Sequence, residues 1–389
     1  MARFTLPRDI YHGKGCLEEL KNLKGKKAFL VVGGGSMKRQ GFLDKAVHYL
    51  KDGGMEVEVF EGVEPDPSVE TVMRGAEAMR KFEPDWIVSM GGGSPIDAAK
   101  AMWAFYEYPE TTFEDLITPF SFPELRQKAK FAAIPSTSGT ATEVTAFSVI
   151  TNYQTGVKYP LADYALLPNM AIVDTDNMMS QPRGLTSASG VDVLTHALEA
   201  YASVMATDYT DGLALKAMKN VFDYLPTAYN EPTNVEARQK MADASCMAGM
   251  AFANAFLGVC HSMAHKLGAF HHLPHGLANA LLLNLVIEFN AAENPRKMGT
   301  FSQYQYPHTQ ARYAECARFE GTQAKDDAEA VKKLMEKIED LKKQVGVKSS
   351  IQAYGIDEKD FLDRLDDMVE QAFDDQCTGA NPRYPLMSE

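Results

Sequence analysis

The sequence predicts a two-domain α/β protein: an N-terminal domain with a parallel sheet flanked by helices, and an all-α C-terminal domain. Strand-like and helix-like segments alternate through residues 1–181, and glycines follow several of the strands. Beyond a Pro/Gly-containing break in the pattern at residues 181–184, nearly every segment has helical periodicity. A chain of 389 residues also exceeds one ordinary core. We therefore predict domains at 1–181 and 182–389.

The elements of the first domain follow from their hydrophobic patterns. Short apolar or alternating runs typical of strands are KAFLVV (27–32), MEVEVF (55–60), PDWIVSM (84–90), KFAAIP (130–135) and AIVD (171–174). Helical spacing is found in GFLDKAVHYLKDGG (41–54), SVETVMRGAEAMRKF (68–82) and IDAAKAMWAFYEY (96–108). Because strands and helices alternate, the strands are expected to be parallel.

The second domain is predicted to be helical throughout. The clearest amphipathic segments are residues 194–205, 214–225 and 326–346. A polar, aromatic-rich insertion at 301–310 is interpreted as a surface loop. We do not expect His308, which lies in this insertion, to bind a metal.

Composition indicates a soluble, cytoplasmic protein. The formal charge of −13 argues against nucleic acid or an anionic membrane as the main partner. The five cysteines are scattered without CxxC spacing, which is typical of reduced thiols in the cytosol. The N-terminus has no apolar signal segment, and the most apolar run, residues 277–287, is too short to cross a bilayer.

A first phosphate-binding loop is predicted at Gly91-Gly92-Gly93-Ser94-Pro95, between a strand and a helix. Glycines let a pyrophosphate approach the backbone, and the amides of a helix N-terminus can then bind its oxygens. Asp97 is expected in the first helical turn, where it can cap amides or accept from a ribose. The alternative is a plain strand-to-helix turn, since the loop lacks the G-x-G-x-x-G pattern.

Two further loops follow strands. The hydroxyl-rich segment 136–143 can donate hydrogen bonds to phosphates or to a nicotinamide amide, although it could instead be a helix cap. Gly33-Gly34-Gly35-Ser36 occupies the position where NAD enzymes often place an acid for the adenosine ribose. Because glycines stand there with Lys38 and Arg39 just beyond, the sequence favours NADP(H) over NAD(H). A tight turn with two solvated cations is the alternative interpretation of this loop.

Histidines and one aspartate indicate a metal site in the second domain. Asp192 and His196 are four residues apart, so they share a helix face. Six of the nine histidines lie between residues 196 and 275, a crowding that favours metal binding over satisfied core histidines. Spacing leaves open which of the five histidines after His196 would join them: His261, His265, His271, His272 and His275.

Four segments together resemble the iron-dependent, group III alcohol dehydrogenase family. They are GGGSPIDAAK (91–100), STSGTATEVT (136–145), GVDVLTHALEAY (190–201) and GVCHSMAHKLGAFHHLPHGLANA (258–280). The segment 374–389 is especially similar to the alcohol dehydrogenase domain of bifunctional aldehyde-alcohol dehydrogenases. The segment 31–41 is more similar to stand-alone NADP-dependent butanol dehydrogenases.

The resemblance implies a dehydroquinate synthase-like fold and assigns the site residues. The metal, Fe²⁺ with Zn²⁺ as the alternative, would be held by Asp192, His196, His261 and His275. His265 would belong to the substrate and nicotinamide pocket as the catalytic residue. Together with the loops above, the expected dinucleotide contacts are Gly33, Gly34, Gly35, Ser36, Gly91, Gly92, Gly93, Ser94, Asp97, Thr137, Ser138, Thr140, Thr145 and Lys158.

The expected activity is interconversion of short-chain primary alcohols and aldehydes by hydride transfer with NAD(P)(H), in a cleft between the domains. Phe147, Phe252 and Leu257 are candidates for an apolar substrate pocket, with core packing as the alternative. The expected partner is a small alcohol or aldehyde, and the chain is expected to form a homodimer or higher homo-oligomer. Alternative functions are a polyol dehydrogenase acting on glycerol or a diol, a metal-dependent hydrolase, and a catalytically silent assembly subunit.

Overall fold

The computed structural model describes residues 3–292 and 308–389, and they form two compact units. The first unit is Thr5–Gln181. The second contains Pro182–Glu389 and also Phe4, whose ring stacks on that of Tyr209. Most of the insertion interpreted as a loop, 301–307, lies outside the described residues, and its last two residues are helical.

A parallel sheet organises the first unit, as the sequence predicts, and it has six strands rather than the five that the patterns indicated. Its strands are β1 (Asp9–His12), β2 (Lys27–Gly33), β3 (Glu56–Val63), β4 (Trp86–Gly91), β5 (Lys130–Pro135) and, after an antiparallel hairpin of β6 (Phe147–Asn152) and β7 (Val157–Ala162), β8 (Met170–Val173). The order across the sheet is β1-β8-β5-β4-β2-β3. The chain changes direction across the sheet between β2 and β4, which is where open α/β sheets bind ligands.

Helices cover both faces of this sheet, which explains its continuous apolar strands. They are α1 (Ser36–Arg39), α2 (Phe42–Asp52), α3 (Val69–Phe82), α4 (Gly93–Glu107), α5 (Phe113–Leu116) and α6 (Thr175–Met178). Along β2, Phe29 and Val31 belong to one buried cluster, whereas Leu30 and Val32 belong to the other. A strand that is buried on both faces is apolar throughout, so its sequence lacks the alternation of polar and apolar residues that a half-exposed strand shows.

The described part of the second unit contains helices and no strand, as predicted. The helices are α7 (Arg183–Ala202), α8 (Asp208–Asn230), α9 (Val235–Ala255), α10 (Val259–His271), α11 (His275–Asn290), α12 (Thr309–Phe319), α13 (Asp327–Gln344), α14 (Glu358–Asp363) and α15 (Leu365–Phe373). Helix α7 is central, because nearly every side chain from Gly190 to Ala202 is buried. The break near residue 181 is the start of α7, with Pro182 as its N-cap.

The sequence prediction placed one functional helix incorrectly. Helix α4 begins at Gly93, three residues before the predicted start at residue 96. Asp97 therefore lies in the second turn and cannot cap the first turn as predicted; Gly92 is the N-cap and offers no side-chain oxygen. The N-terminal amides of α4 are thus left for another acceptor.

Two strand features escaped the sequence analysis. The edge strand β1 is short and only half-buried, so its apolar signal is weak. The β6–β7 hairpin follows the hydroxyl-rich segment, for which a helix cap was the alternative interpretation.

Within residues 3–292 and 308–389, no single helix has the length and apolar composition needed to cross a membrane. Helices α9 and α10 meet that test only when taken together, and they are bent by 107° relative to each other.

Candidate metal centre and nucleotide loops

Three helices of the second unit bring the predicted metal ligands together. Helix α7 carries Asp192 and His196 one turn apart, α10 carries His261, and α11 begins with His275. One ligand atom from each of the four residues lies within 4.8 Å of the others. The Asp192 carboxylate is 3.6 Å from Nε2 of His275, 3.7 Å from Nε2 of His261 and 3.9 Å from Nε2 of His196.

Burial sets the protonation of this cluster. It lowers the pKa of His196 to about 4 and that of His261 to about 4. The pKa of His275 is lowered in the same direction, but 41% of its side chain is exposed, so burial acts less on it than on the other two. Burial alone would raise the pKa of Asp192, but the neighbouring histidines and a hydrogen bond from Asn279 bring it below its usual value. Three neutral imidazoles and one carboxylate are the protonation states that bind a divalent cation.

The side-chain amide of Asn279 shows how the ring nitrogens are oriented. Its Nδ2 donates to the Asp192 carboxylate at 2.7 Å, which only accepts. The same Nδ2 lies 3.1 Å from Nε2 of His261 and 3.3 Å from Nε2 of His275. Because an NH₂ group has two hydrogens and one is donated to Asp192, the other can be donated to one of these two ring nitrogens, which then presents its lone pair to the shared centre. The residues therefore fit a divalent metal ion.

Close packing of α11 against α7 depends on Gly276. A Cβ at this position would overlap the backbone carbonyl of Ala188 and would lie 3.3 Å from Cβ of Asp192. Glycine therefore allows the two helices to approach closely enough for His275 to reach Asp192. Nothing in the periodicity of α11 indicates this requirement.

His265 lies beside the four ligand candidates but makes different contacts. Its ring stacks on that of His275, with centroids 5.4 Å apart, and its Nδ1 is 3.0 Å from Oδ2 of Asp375. Burial alone would raise the pKa of Asp375, but His265 and the ammonium of Lys266 hold it far below its usual value.

The group formed by His265, Asp375 and Cys377 also has metal-ligand spacing. However, Lys266 occupies the same carboxylate oxygen of Asp375 at 3.0 Å, and burial raises the pKa of the Cys377 thiol well above its usual value. A protonated thiol and a shared carboxylate describe a hydrogen-bonded His–Asp pair better than a second metal site. His271 instead contacts Asp360 at 3.4 Å, and His272 ends α10 with a positive φ of 55°.

Sequence reasoning missed Glu199 and Asn279. Glu199 is buried on α7, and one of its oxygens lies 2.5 Å from Nδ1 of His261. Burial raises the pKa of Glu199 to about 7. Glu199 is seven residues after Asp192 and Asn279 is four after His275, so helical spacing could have identified both.

The glycine loops of the first unit meet at the carboxyl ends of β2 and β4. A Cβ on Gly33 would lie 3.7 Å from the Pro95 ring, and one on Gly91 would lie 2.6 Å from it. Gly91 also has a φ of +147°, a backbone conformation that other residues avoid. The two predicted loops therefore pack around Pro95, next to the N-terminus of α4.

The hydroxyl-rich loop lies against the same glycines. A Cβ added to Gly92 would lie 3.8 Å from the methyl group of Thr137, and one added to Gly93 would lie 3.2 Å from the methyl group of Thr140. The backbone N–H of Ser138 donates to Gln181, and its hydroxyl contacts Met178. The segment after β5 therefore faces the N-terminus of α4, as its predicted role in dinucleotide binding requires.

The other predicted dinucleotide contacts are placed differently. Thr145 is buried, with 3% of its surface exposed. Lys158 forms an exposed ion pair with Asp66 at 2.8 Å. Near Gly34 and Ser36, Lys38 pairs with Glu61, whereas Arg39 reaches back to the Gly34 carbonyl at 3.4 Å.

A fully buried lysine joins α4 to the hydroxyl-rich loop. The ammonium of Lys100 donates to the backbone carbonyls of Thr142, Thr145 and Phe147 at 2.7, 2.6 and 3.0 Å. Burial lowers the pKa of Lys100 and raises the pKa values of Asp97 and Glu143. The sequence analysis assigned no role to Lys100, although it ends the segment 91–100 that carries part of the family resemblance.

Comparison with known proteins identifies the family. Residues 7–175 match the model of the iron-containing alcohol dehydrogenase family, and residues 186–389 match the C-terminal model of the Fe-containing alcohol dehydrogenase family. The chain belongs to the iron-containing alcohol dehydrogenase family. It is therefore an oxidoreductase with the two-part fold that the resemblance implied.

Similar proteins agree with this family membership. The alcohol dehydrogenase is 54% identical over 383 residues to an NADPH-dependent butanol dehydrogenase of Clostridium saccharobutylicum, covering 98% of this chain and 94% of that relative. It is 50% identical to the bifunctional aldehyde-alcohol dehydrogenase AdhE of Escherichia coli K12, of which it spans only 45%.

Solved structures of the family have the same fold. A 1,3-propanediol oxidoreductase superposes with a TM-score of 0.90 at 33% identity. The match covers 100% of this chain and 97% of that structure. The iron-containing alcohol dehydrogenase of Thermococcus thioreducens gives a TM-score of 0.88 at 36% identity, with coverage of 100% and 97%.

Proposed function

We propose that this alcohol dehydrogenase interconverts short-chain primary alcohols and aldehydes with NADP(H), using Fe²⁺ held by Asp192, His196, His261 and His275. The observation that supports it most is the convergence of four ligand atoms, from one carboxylate and three imidazoles, within 4.8 Å of one another. A divalent ion there supplies Lewis acidity towards the alcohol or carbonyl oxygen. Zn²⁺ is the alternative ion, because it lies above Fe²⁺ in the affinity series.

The first unit contributes the dinucleotide site in this proposal. The N-terminus of α4, which has no side-chain cap, offers backbone N–H groups to a pyrophosphate, and the glycines remove side chains that would block it. Thr137 and Thr140 lie against these glycines and offer hydroxyl donors to the same ligand. The bound nicotinamide supplies the hydride chemistry.

The substrate class is proposed from the relatives and from one aromatic contact. The ring of Phe252 stacks on that of His196, with centroids 4.5 Å apart, which places an apolar surface beside a ligand candidate. Such a surface suits an alkyl chain, and it discriminates chain length by only about 1–3 kcal/mol per methylene. The polyol alternative is less well supported, since the propanediol oxidoreductase shares 33% identity against 54% for the butanol dehydrogenase.

A cytoplasmic location is proposed from the state of the cysteines. All five cysteines are free thiols, which supports a reducing, cytoplasmic location. The homo-oligomer expected from the sequence stays a prediction.

Cofactor preference tests the proposed function. With Fe²⁺-loaded protein and butyraldehyde, we expect faster turnover with NADPH than with NADH. Gly34→Asp should reverse this order by at least about tenfold, because an acid in this position repels a 2′-phosphate and accepts from a ribose hydroxyl. The new side chain fits, since a Cβ on Gly34 meets none of the described atoms within 4 Å.

Gly34→Asn is the matched control for this assay. It has nearly the same volume without the charge, so we expect it to retain most of the NADPH preference. Equal use of both cofactors by the wild type, or an effect of Asn as large as that of Asp, contradicts the proposed specificity. Absence of any aldehyde reduction contradicts the activity itself.

His265 is proposed to hold the proton that leaves the substrate alcohol. Its Nδ1 faces Asp375, so Nε2 is the nitrogen available for proton exchange with the ribose hydroxyls or water. His265→Ala is expected to slow alcohol oxidation by about 10²-fold without loss of bound metal. Steady-state kinetics and metal analysis measure the two effects separately.

His48→Ala is the control, because His48 also pairs with an aspartate, Asp52, but on an exposed helix surface. We expect this variant to behave like the wild type. A His265→Ala enzyme with the wild-type rate rules out the proposed proton transfer through His265. A His265→Ala enzyme that has lost its metal assigns His265 to the metal centre instead.

A further inference from the structure

Glu199 connects the metal centre to the start of helix α10. It is buried, with 4% of its surface exposed, on the same face of α7 as Asp192 and His196. Its Oε1 accepts the backbone N–H of Cys260 at 2.8 Å, and its Oε2 lies 2.5 Å from Nδ1 of His261. One carboxylate therefore contacts both the helix that carries His261 and the imidazole itself.

These contacts determine the tautomer of His261. When Glu199 is ionised both of its oxygens only accept, so Nδ1 of His261 carries the proton and Nε2 keeps its lone pair. The amide NH₂ of Asn279 lies 3.1 Å from Nε2, and donation from this group is compatible with the same assignment. Both sides of the ring thus agree.

The ring of His196 is held in a different way from that of His261. Among the described residues, Nδ1 of His196 has no hydrogen-bond partner. The imidazole of His196 is held instead by stacking on Phe252 and on His261 itself. A loosely held His261 ring would therefore disturb its neighbour as well.

We propose that Glu199 is a positioning residue of the metal centre, which holds His261 in the Nδ1–H tautomer with Nε2 directed at the ion. The inference rests on the proposed function, because it takes Asp192, His196, His261 and His275 as the ligands. A carboxylate behind a ligating histidine orients the ring and increases its basicity.

Glu199→Gln separates this role from simple space filling. The amide has the same shape but only one acceptor oxygen. If that oxygen keeps the Cys260 N–H, the NH₂ group faces Nδ1 and drives the ring proton to Nε2, where it blocks the metal. If the amide is reversed, two donors face each other at Cys260. We expect zinc affinity to fall about 10–100-fold.

The measurement is competition for Zn²⁺ between the metal-free full-length protein and a chromophoric chelator. Thermal unfolding of the metal-free forms runs in parallel, and we expect Glu199→Gln to unfold close to the wild type, since volume is retained. Glu199→Asp keeps an acceptor-only group on a shorter stem, and we expect it to retain more zinc affinity than Glu199→Gln.

Asn381→Ala is the matched control. Asn381 accepts the N–H of Val259 at 3.2 Å, so it caps the same helix start, but none of its hydrogen bonds to the described residues involves His261. We expect wild-type zinc affinity for this variant, even if it unfolds earlier. An equal loss of affinity in both variants shows that Glu199 acts only as a helix cap.

The outcomes also separate this inference from the proposed function. Unchanged zinc affinity in Glu199→Gln, with tight binding by the wild type, overturns the role of Glu199 alone. A wild type that binds no zinc overturns the proposed metal centre and the inference together. Weaker zinc binding by Glu199→Gln than by both Glu199→Asp and Asn381→Ala supports the positioning role of Glu199.

Discussion

Replacing Asp192 with asparagine is expected to abolish tight metal binding and to slow alcohol oxidation by about 10³-fold. The three histidines are neutral, so Asp192 supplies the negative charge among the four ligand candidates. Asparagine would keep an acceptor for Asn279 but turn an NH₂ group towards Nε2 of His196. Lewis-acid activation accounts for several kcal/mol of barrier lowering, and about 4 kcal/mol corresponds to 10³ in rate.

Metal content per chain and the stabilisation caused by added metal measure this effect. An ion at 1,000 times its Kd stabilises the folded protein by about 4 kcal/mol, and we expect that gain to disappear in Asp192→Asn. Asp211→Asn is the control, since Asp211 is a carboxylate of the same unit that binds Arg312. That variant should lose stability and keep its metal. A tightly bound ion in Asp192→Asn contradicts the proposed ligand set.

Lys100→Met is expected to destabilise the first unit by about 3 kcal/mol and to weaken NADPH binding about tenfold. The substitution removes the ammonium donor from the buried carbonyls of Thr142 and Thr145, at roughly 1–3 kcal/mol each, and from the partly buried carbonyl of Phe147. Relief of the desolvated charge offsets part of this loss and leaves a net cost of about 3 kcal/mol.

The effect on NADPH follows from the position of the loop. The segment that Lys100 holds is continuous with Thr140, which packs against Gly93. Urea unfolding gives the stability change, and quenching or enhancement of NADPH fluorescence gives the affinity. Metal affinity should be unchanged, because the ligand candidates belong to the other unit.

Lys342→Met is the control for this prediction. Lys342 is also buried, but its ammonium pairs with the half-exposed carboxylate of Glu339 at 2.5 Å. We expect its replacement to cost less than about 1 kcal/mol. Equal effects of the two substitutions would show that burying any lysine, rather than holding the loop carbonyls, is what matters at position 100.

Local patterns were sufficient for most of the first unit. The runs at 27–32 and 130–135 became β2 and β5, because a buried parallel strand needs only a short apolar segment between turn residues. The start of α4 was misplaced, since a glycine N-cap followed by Gly93 and Pro95 has low helix propensity. Pro95 in that first turn packs against Gly91, and the earlier start of the helix places Asp97 in the second turn.

In the metal centre, sequence spacing predicted only part of the ligand set. Asp192 and His196 could be paired from the sequence, because spacing of four residues on one helix fixes a shared face. Which histidine of α10 or α11 joins them depends on how the helices cross, and on a glycine at 276 that allows close approach. Spacing alone does not distinguish His261 from His265, whereas the fold places them in different groups.

The sequence alone determined the alternating strands and helices, the glycine loops after strands, and the Asp192–His196 pair. These features depend only on residues within about one helical turn of each other. The choice among five histidines, the role of Glu199 behind His261, and the attachment of a loop by Lys100 depend on residues 42 to 110 positions apart. Such contacts form only when helices and loops pack, because hydrogen bonds and burial act through space and leave no period in the sequence.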